Sequence, residues 1–161
     1  MGKIAAGIFG LMLAGIAHTA EAASQTIVGN SVKKVYAAVS ADQTLGTADY
    51  TSLPGAARTI SVPAGGDTII ATFTAECVLF GSSGAGNWVE VQIRDNGTAT
   101  AAAATTFCSD KFFGSHALRV AKHLPAGTHN IQVVWRVVKG VAADSLTGYL
   151  DDWALTVLQA E

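Results

Sequence analysis

The chain has 161 residues, ten basic and twelve acidic, a formal charge of −2, and only 14% charged side chains against 50% hydrophobic ones. So neutral and evenly mixed a balance offers no basic stripe, and nucleic acid is not an expected partner.

Met1-Gly2-Lys3, the apolar and small run Ile4 to Ala17, and Ala20-Glu21-Ala22 have the layout of a cleavable secretory leader. The apolar run is too short for a stable membrane span. An uncleaved anchor is the alternative; with 1–22 removed, no membrane association is expected. Residues 23–161 then read as a single domain, long enough to bury a core and placed in an extracellular or periplasmic space. Loss of Lys3 and Glu21 leaves the charge at −2.

Past the leader, strand-like alternation recurs between turn signals, and apolar residues at helical spacing are nearly absent. Ser31 to Val39 is the first predicted strand. The polar stretch Ala41 to Ser52 crosses to a predicted turn at Leu53-Pro54-Gly55; Arg58 to Val62 follows as a short strand, ended by Pro63-Ala64-Gly65-Gly66. Asp67 to Phe80 is the longest predicted strand. Its odd positions, Ile69, Ala71, Phe73, Ala75, Cys77 and Leu79, form the core face. Its even face carries Ile70, Val78 and Phe80, more apolar than a solvated face should be, which predicts a subunit or sheet contact. Gly81 to Gly86 is a loop without the Lys-Ser/Thr of a phosphate cradle.

Trp88 to Asp95 is a strand with Val89, Val91 and Ile93 inward, and Asn96-Gly97 predicts a type I′ hairpin. The return strand, Thr98 to Thr106, is rich in alanine, which suits an edge. Ser115 to Leu124 and Thr128 to Val138 read as a second hairpin around Pro125-Ala126-Gly127, and the last strand runs from Thr147 to Gln159. The fold class is therefore all-β, an antiparallel jelly-roll β-sandwich of roughly eight to ten strands.

Cys77 and Cys108 are an even pair in a chain that reads as exported, which predicts one disulfide; two buried thiols are the alternative. Neither belongs to a C-x-x-C motif of the redox or zinc type. Three of the four histidines crowd into Ser115 to Gln132. Strand parity sends His116 and His129 inward and His123 outward, so they do not converge as metal ligands must. No metal and no cofactor is expected. Asp151 shares parity with Trp153, Leu155 and Val157 and is predicted to be partly buried, where a His-Asp or Arg-Asp pair would satisfy an inward His116. His116, His129 and Asp151 are thus structural polar candidates, and no catalytic residue is assigned. A catalytic pair would also need a nucleophile or water in a cleft, and no G-x-S-x-G elbow occurs. Trp135 and Trp153 alternate with core aliphatics, whereas Trp88 reads as a surface indole. With Asn87, Asp95 and Asp152 it forms the predicted ligand contact. Asp151 and Asp152 point oppositely and cannot alone hold calcium.

"YTSLPGAARTISVPAGGDTIIATFTAEC", "LPAGTHNIQVVWRV" and "LDDWALTVL" resemble small secreted bacterial and phage jelly-roll domains of the tumour-necrosis-factor-like or complement-globular-head topology, over roughly Tyr50 to Val157. The resemblance implies a two-sheet sandwich that often trimerises and serves recognition or surface display. The expected function is a secreted, non-enzymatic β-sandwich for binding, recognition or surface structure, with a second copy or a glycan or cell-surface ligand as partner. Two alternatives stand beside it: a carbohydrate-binding module using Trp88, and a metal-dependent or hydrolytic enzyme centred on His116, His129 and Asp151.

Overall fold

The computed structural model describes residues 34–40, 43–81, 86–100, 105–109, 112–140 and 146–160. The predicted leader, the start of the strand read from Ser31, the centre of the Gly81–Gly86 loop and the middle of the alanine-rich segment lie outside them. Among the described residues there are ten strands and no helix: β1 (Lys34–Ser40), β2 (Gln43–Leu45), β3 (Thr51–Val62), β4 (Asp67–Phe80), β5 (Trp88–Asp95), β6 (Thr98–Ala99), β7 (Thr105–Cys108), β8 (Gly114–Leu124), β9 (Gly127–Val138) and β10 (Thr147–Ala160).

The strands form two antiparallel sheets. Sheet A has the order β1-β10-β4-β8, with β2 also beside β10; sheet B has the order β3-β9-β5-β6, with β7 also beside β5. Of these pairings only β5 with β6 joins consecutive strands, and the chain otherwise passes back and forth between the sheets. The crossings fall at each step from β2 to β5 and from β7 to β10, and with 1-10-4-8 facing 3-9-5-7 they make the molecule a jelly-roll sandwich.

Period-two alternation places the core as expected. The odd residues of β4, with Val89, Val91, Ile93, Ile131, Val133, Trp135, Val137, Leu155 and Val157, are all at most 3% exposed. Each of the larger aliphatic and aromatic side chains contributes about 1.5–3 kcal/mol by leaving water. Cys77 on β4 is bonded to Cys108 on β7, so the predicted disulfide crosses from sheet A to sheet B. Asn96 and Gly97 have φ of 47° and 82°, the two positive values that a type I′ turn needs.

Four readings change. Leu53-Pro54-Gly55 is no turn between strands: it lies inside β3, where the register with β9 jumps between Ser52 and Ala57. Leu53 and Ala56 turn into the core there, 2% and 0% exposed, and Gly55 at φ 78° makes the kink possible. The return strand read as Thr98 to Thr106 is two short pieces, β6 and β7, each against β5.

The third correction concerns the hairpin read over Ser115 to Val138. β8 pairs with β4 and β9 pairs with β3 and β5, so Pro125-Ala126 is an arch between sheets. Two alternating runs around a short turn look alike in either arrangement. Proline's fixed negative φ excludes a two-residue type I′ turn but not a longer hairpin loop, so the turn residues do not separate the two arrangements. Pro63-Ala64 arches likewise from β3 to β4, and the arches lie side by side, since Val62 is in register with Gly127 and Asp67 with Leu124.

The fourth is Asp151. Between Asp151↔Glu76 and Ala154↔Thr74 β10 carries one extra residue, a bulge with Asp152 at φ 44°. The bulge reverses parity, so Asp151 shares the outer face with Tyr149 instead of the inner face with Trp153.

At the paired arches Gly66 has φ 80°, and a Cβ there would sit 2.5 Å from His123 Nε2 and 2.7 Å from the Leu124 carbonyl oxygen. The imidazole can swing aside, but the carbonyl belongs to the neighbouring strand. Gly66→Ala is expected to cost about 1–3 kcal/mol, measured by urea unfolding. An unchanged midpoint would show that the arch carries no such constraint.

Candidate functional site

At the arch end, β9 turns His129 inward. It is 6% exposed, its Nδ1 is 2.9 Å from Asp95 Oδ1 and its Nε2 is 3.0 Å from the Pro125 carbonyl oxygen. Asp95 also lies 3.8 Å from Lys122 Nζ. Beside this pair Gln159 Nε2 donates to Asp67 Oδ2 at 2.6 Å and to the Ser61 carbonyl at 3.1 Å. These groups tie β9 to β5 and β10 to β4 beneath the arches. A buried His-Asp pair was expected, but its members are His129 and Asp95, not His116 and Asp151.

His116 is half-buried at the edge of sheet A, its ring 5.4 Å from that of Phe107 on the opposite sheet. It helps to line a cleft of about 410 Å³ beside the β10 bulge, with Thr74, Glu76, Ser115 and Asp152. Ser115 and His116 are successive strand residues and point to opposite faces, so they make no nucleophile-base pair. Among the described residues no three His, Cys, Asp or Glu side chains gather closely enough to hold a metal ion.

The predicted ligand contact is dispersed. Asn87 and Trp88 stand at the start of β5, Asp95 at its other end about 23 Å away, and Asp152 on sheet A. Asn87 is 5% exposed and its Oδ1 accepts from the Gly140 amide at 3.0 Å, while Asp95 faces inward onto His129. Trp88 is half-buried on the outer face of sheet B, and Asp152 is exposed. The alternative centre of His116, His129 and Asp151 is no better assembled. His129 sits beneath the arches, His116 faces Phe107, and Asp151 is on the outer face of sheet A.

Two surface groupings were only partly visible in the sequence, through Trp88 as a surface indole and Phe80 on the outer face of β4. On the outer face of sheet B, β5 presents Trp88, Glu90, Gln92 and Arg94 beside Val138, Arg136, Val134 and Gln132 of β9. Tyr50 reaches over this row, with the Arg94 and Arg136 guanidinium carbons 4.6 and 4.5 Å from its ring centroid. Its hydroxyl donates to Glu90 Oε1, and Arg136 Nη2 donates to Glu90 Oε2 at 3.1 Å, so this outward carboxylate is only 3% exposed. The shared parity of Arg94 and Arg136 was visible in the sequence; Tyr50, in a stretch read as a polar crossing, gave no signal.

On the outer face of sheet A, Phe80, Phe113 and Tyr149 meet edge to face, with ring centroids 5.5 to 6.2 Å apart. Phe80 is 47% exposed, Phe113 53% and the adjoining Phe112 82%, whereas Val78 of the same face is fully buried. The predicted contact face of β4 is thus apolar chiefly at this corner. The adjacent phenylalanines outside any alternating run were the available clue to the rest of it.

No protein-family profile matches the chain, and no curated protein matches it. Among solved structures it is similar to dimeric latent PorU from Porphyromonas gingivalis, at 12% identity and a TM-score of 0.44, covering 88% of this chain and 14% of that one. It is also similar to a structure of infectious bursal disease virus, Gx strain, at 13% identity and a TM-score of 0.38, covering 97% of this chain and 42% of that one. The chain thus spans less than half of either neighbour, and its jelly-roll assignment stands on its own strand order.

Proposed function

We propose that this chain is an exported, non-catalytic β-sandwich recognition module that pairs with a second copy of itself through the outer face of sheet A. One observation carries this reading. Phe80 and Phe113, two of the three exposed large hydrophobic side chains among the described residues, gather at a single corner of the fold with Tyr149, and the third, Phe112, adjoins Phe113 in sequence. Solvated faces rarely keep such a patch.

From that corner the face continues over half-buried Ile70 and Leu158 and the small side chains of Thr72, Ala154 and Thr156, on which another sheet packs at about 10 Å. Glu76 and Asp152 lie toward the aromatic end, and Arg119 and His123 of β8 toward the other. A copy laid antiparallel across the face sets acid against base at both ends, which fixes one orientation. The leader-like start and the inter-sheet disulfide favour an oxidising, exported setting.

Light scattering on the purified chain at a few hundred micromolar is expected to give twice the monomer mass. Phe80→Asp with Phe113→Asp should give a monomer with an unchanged thermal melt. A wild-type monomer, or a double variant that keeps the higher mass, overturns the reading.

A further inference from the structure

We infer that the outer face of sheet B binds an acidic glycan, with the carboxylate of a uronic-acid unit on Arg94 and another sugar of the same chain stacked on Trp88. The inference rests on the recognition-module reading but uses the sheet opposite the proposed self-contact, and the two fail independently.

Most polar side-chain atoms on this face are already taken. Gln92 Oε1 accepts from both Nε and Nη2 of Arg94, at 3.2 and 3.1 Å. Gln132 Oε1 accepts from Asn130 Nδ2 at 3.4 Å, and both Glu90 oxygens are bonded, to Tyr50 and to Arg136. The side-chain acceptors of the row are therefore committed within the protein. What the face still offers is a set of donors: the amide N–H groups of Gln92 and Gln132, and the terminal N–H groups of Arg94. A ligand that matches it must be rich in acceptors.

Charge narrows the class. Arg136 is neutralised by Glu90, but among the described residues no carboxylate pairs with Arg94. Gln92 occupies the Nε side of the Arg94 fork, which leaves the Nη1–Nη2 end free, and that end receives a planar carboxylate through two parallel bonds. Tyr50 against the guanidinium holds the plane in place, so little side-chain freedom is lost on binding.

Length narrows it further. Trp88 and Arg94 are six residues apart on one face of β5, about 20 Å. A single small acid cannot reach both. An extended chain of sugars can, its ring faces packing on the half-exposed indole and its hydroxyls accepting from the Gln92 amide between them and the Gln132 amide beside Arg94.

Isothermal titration of the full-length chain with the hexamer of galacturonic acid is expected to show saturable binding that weakens as salt is raised. Cellohexaose, a neutral hexamer, should not bind. Arg94→Gln should lower the affinity at least tenfold and Arg94→Lys should restore only part of it, because lysine keeps the charge and loses the fork. Trp88→Ala should weaken the hexamer more than the monomeric acid. All three variants should keep the melting temperature and the oligomeric mass of the parent. No binding of the acidic hexamer, equal binding of the neutral one, or unchanged affinity in Arg94→Gln overturns the inference. An altered mass with intact glycan binding would count against the sheet A contact alone.

Discussion

Phe73→Ala is expected to lose about 3–5 kcal/mol of the roughly 5–15 kcal/mol that holds such a domain folded. Phe73 lies on β4 in the middle of sheet A, fully buried, in register with Leu118 on one side and Leu155 on the other. Its ring centroid is 5.5 Å from that of Phe107 on sheet B and 6.2 Å from that of Trp153. Truncation removes both contacts and leaves a cavity walled by two sheets. Neither sheet can close inward without disturbing its own hydrogen bonds. Urea unfolding should show a lower midpoint with an unchanged slope. Phe73→Leu, which keeps most of the volume, should lose less than half as much. A loss below about 1 kcal/mol for the alanine variant would mean that the ring does not bridge the sheets.

Breaking the disulfide is expected to be nearly as costly. Cys77 and Cys108 are 31 residues apart, and both are buried, at 0% and 2% exposure. Releasing a loop of that size returns about 3.5 kcal/mol of conformational entropy to the unfolded chain. Cys108→Ser, or a strong reductant acting on the wild type, should lower the melting temperature on the order of 10 °C. Reductant should add nothing to the effect of the substitution. β7 is a four-residue strand held to the sandwich through β5 and through this bond, so hydrogen exchange should quicken there first. A wild-type melt that ignores reductant would contradict the assignment.

Most of the core was legible because it depends on a single number, the period of two along a strand. Ile69 to Leu79, Val89 to Ile93 and Ile131 to Val137 all bury the face that alternation assigns to them. The hairpin at Asn96-Gly97 was legible for an equally local reason, the need for two positive φ values. Parity also placed His129 inside and His123 outside. It failed at Asp151 because one inserted residue reverses it, and nothing in "LDDWALTVL" marks where the insertion falls. Pairing was less visible still. The joining of β8 to β4, rather than to its sequence neighbour β9, is settled by the strands on either side, which no local pattern encodes.

The surface groupings were harder to read for a related reason. Arg94 and Trp88 could be set on one face by counting along β5, but the donors that occupy the acceptors of that face, Tyr50, Asn130 and Arg136, come from other segments of the chain. Asn87 and Asp95 were drawn to Trp88 by nearness in sequence. The fold uses the first to hold the Gly140 backbone and the second to hold His129.

The position of β10 has a bearing on how the molecule is made. In order of synthesis it emerges after β1, β2 and β4, yet it lies between them and is hydrogen-bonded to all three. Until it arrives, β1 and β2 have no partner in sheet A and one edge of β4 is open. A nascent chain lacking β10 therefore has only the β4–β8 pair of sheet A to form. Folding then starts late and, with nearly every pairing joining segments far apart in sequence, runs on the slow scale of milliseconds to seconds.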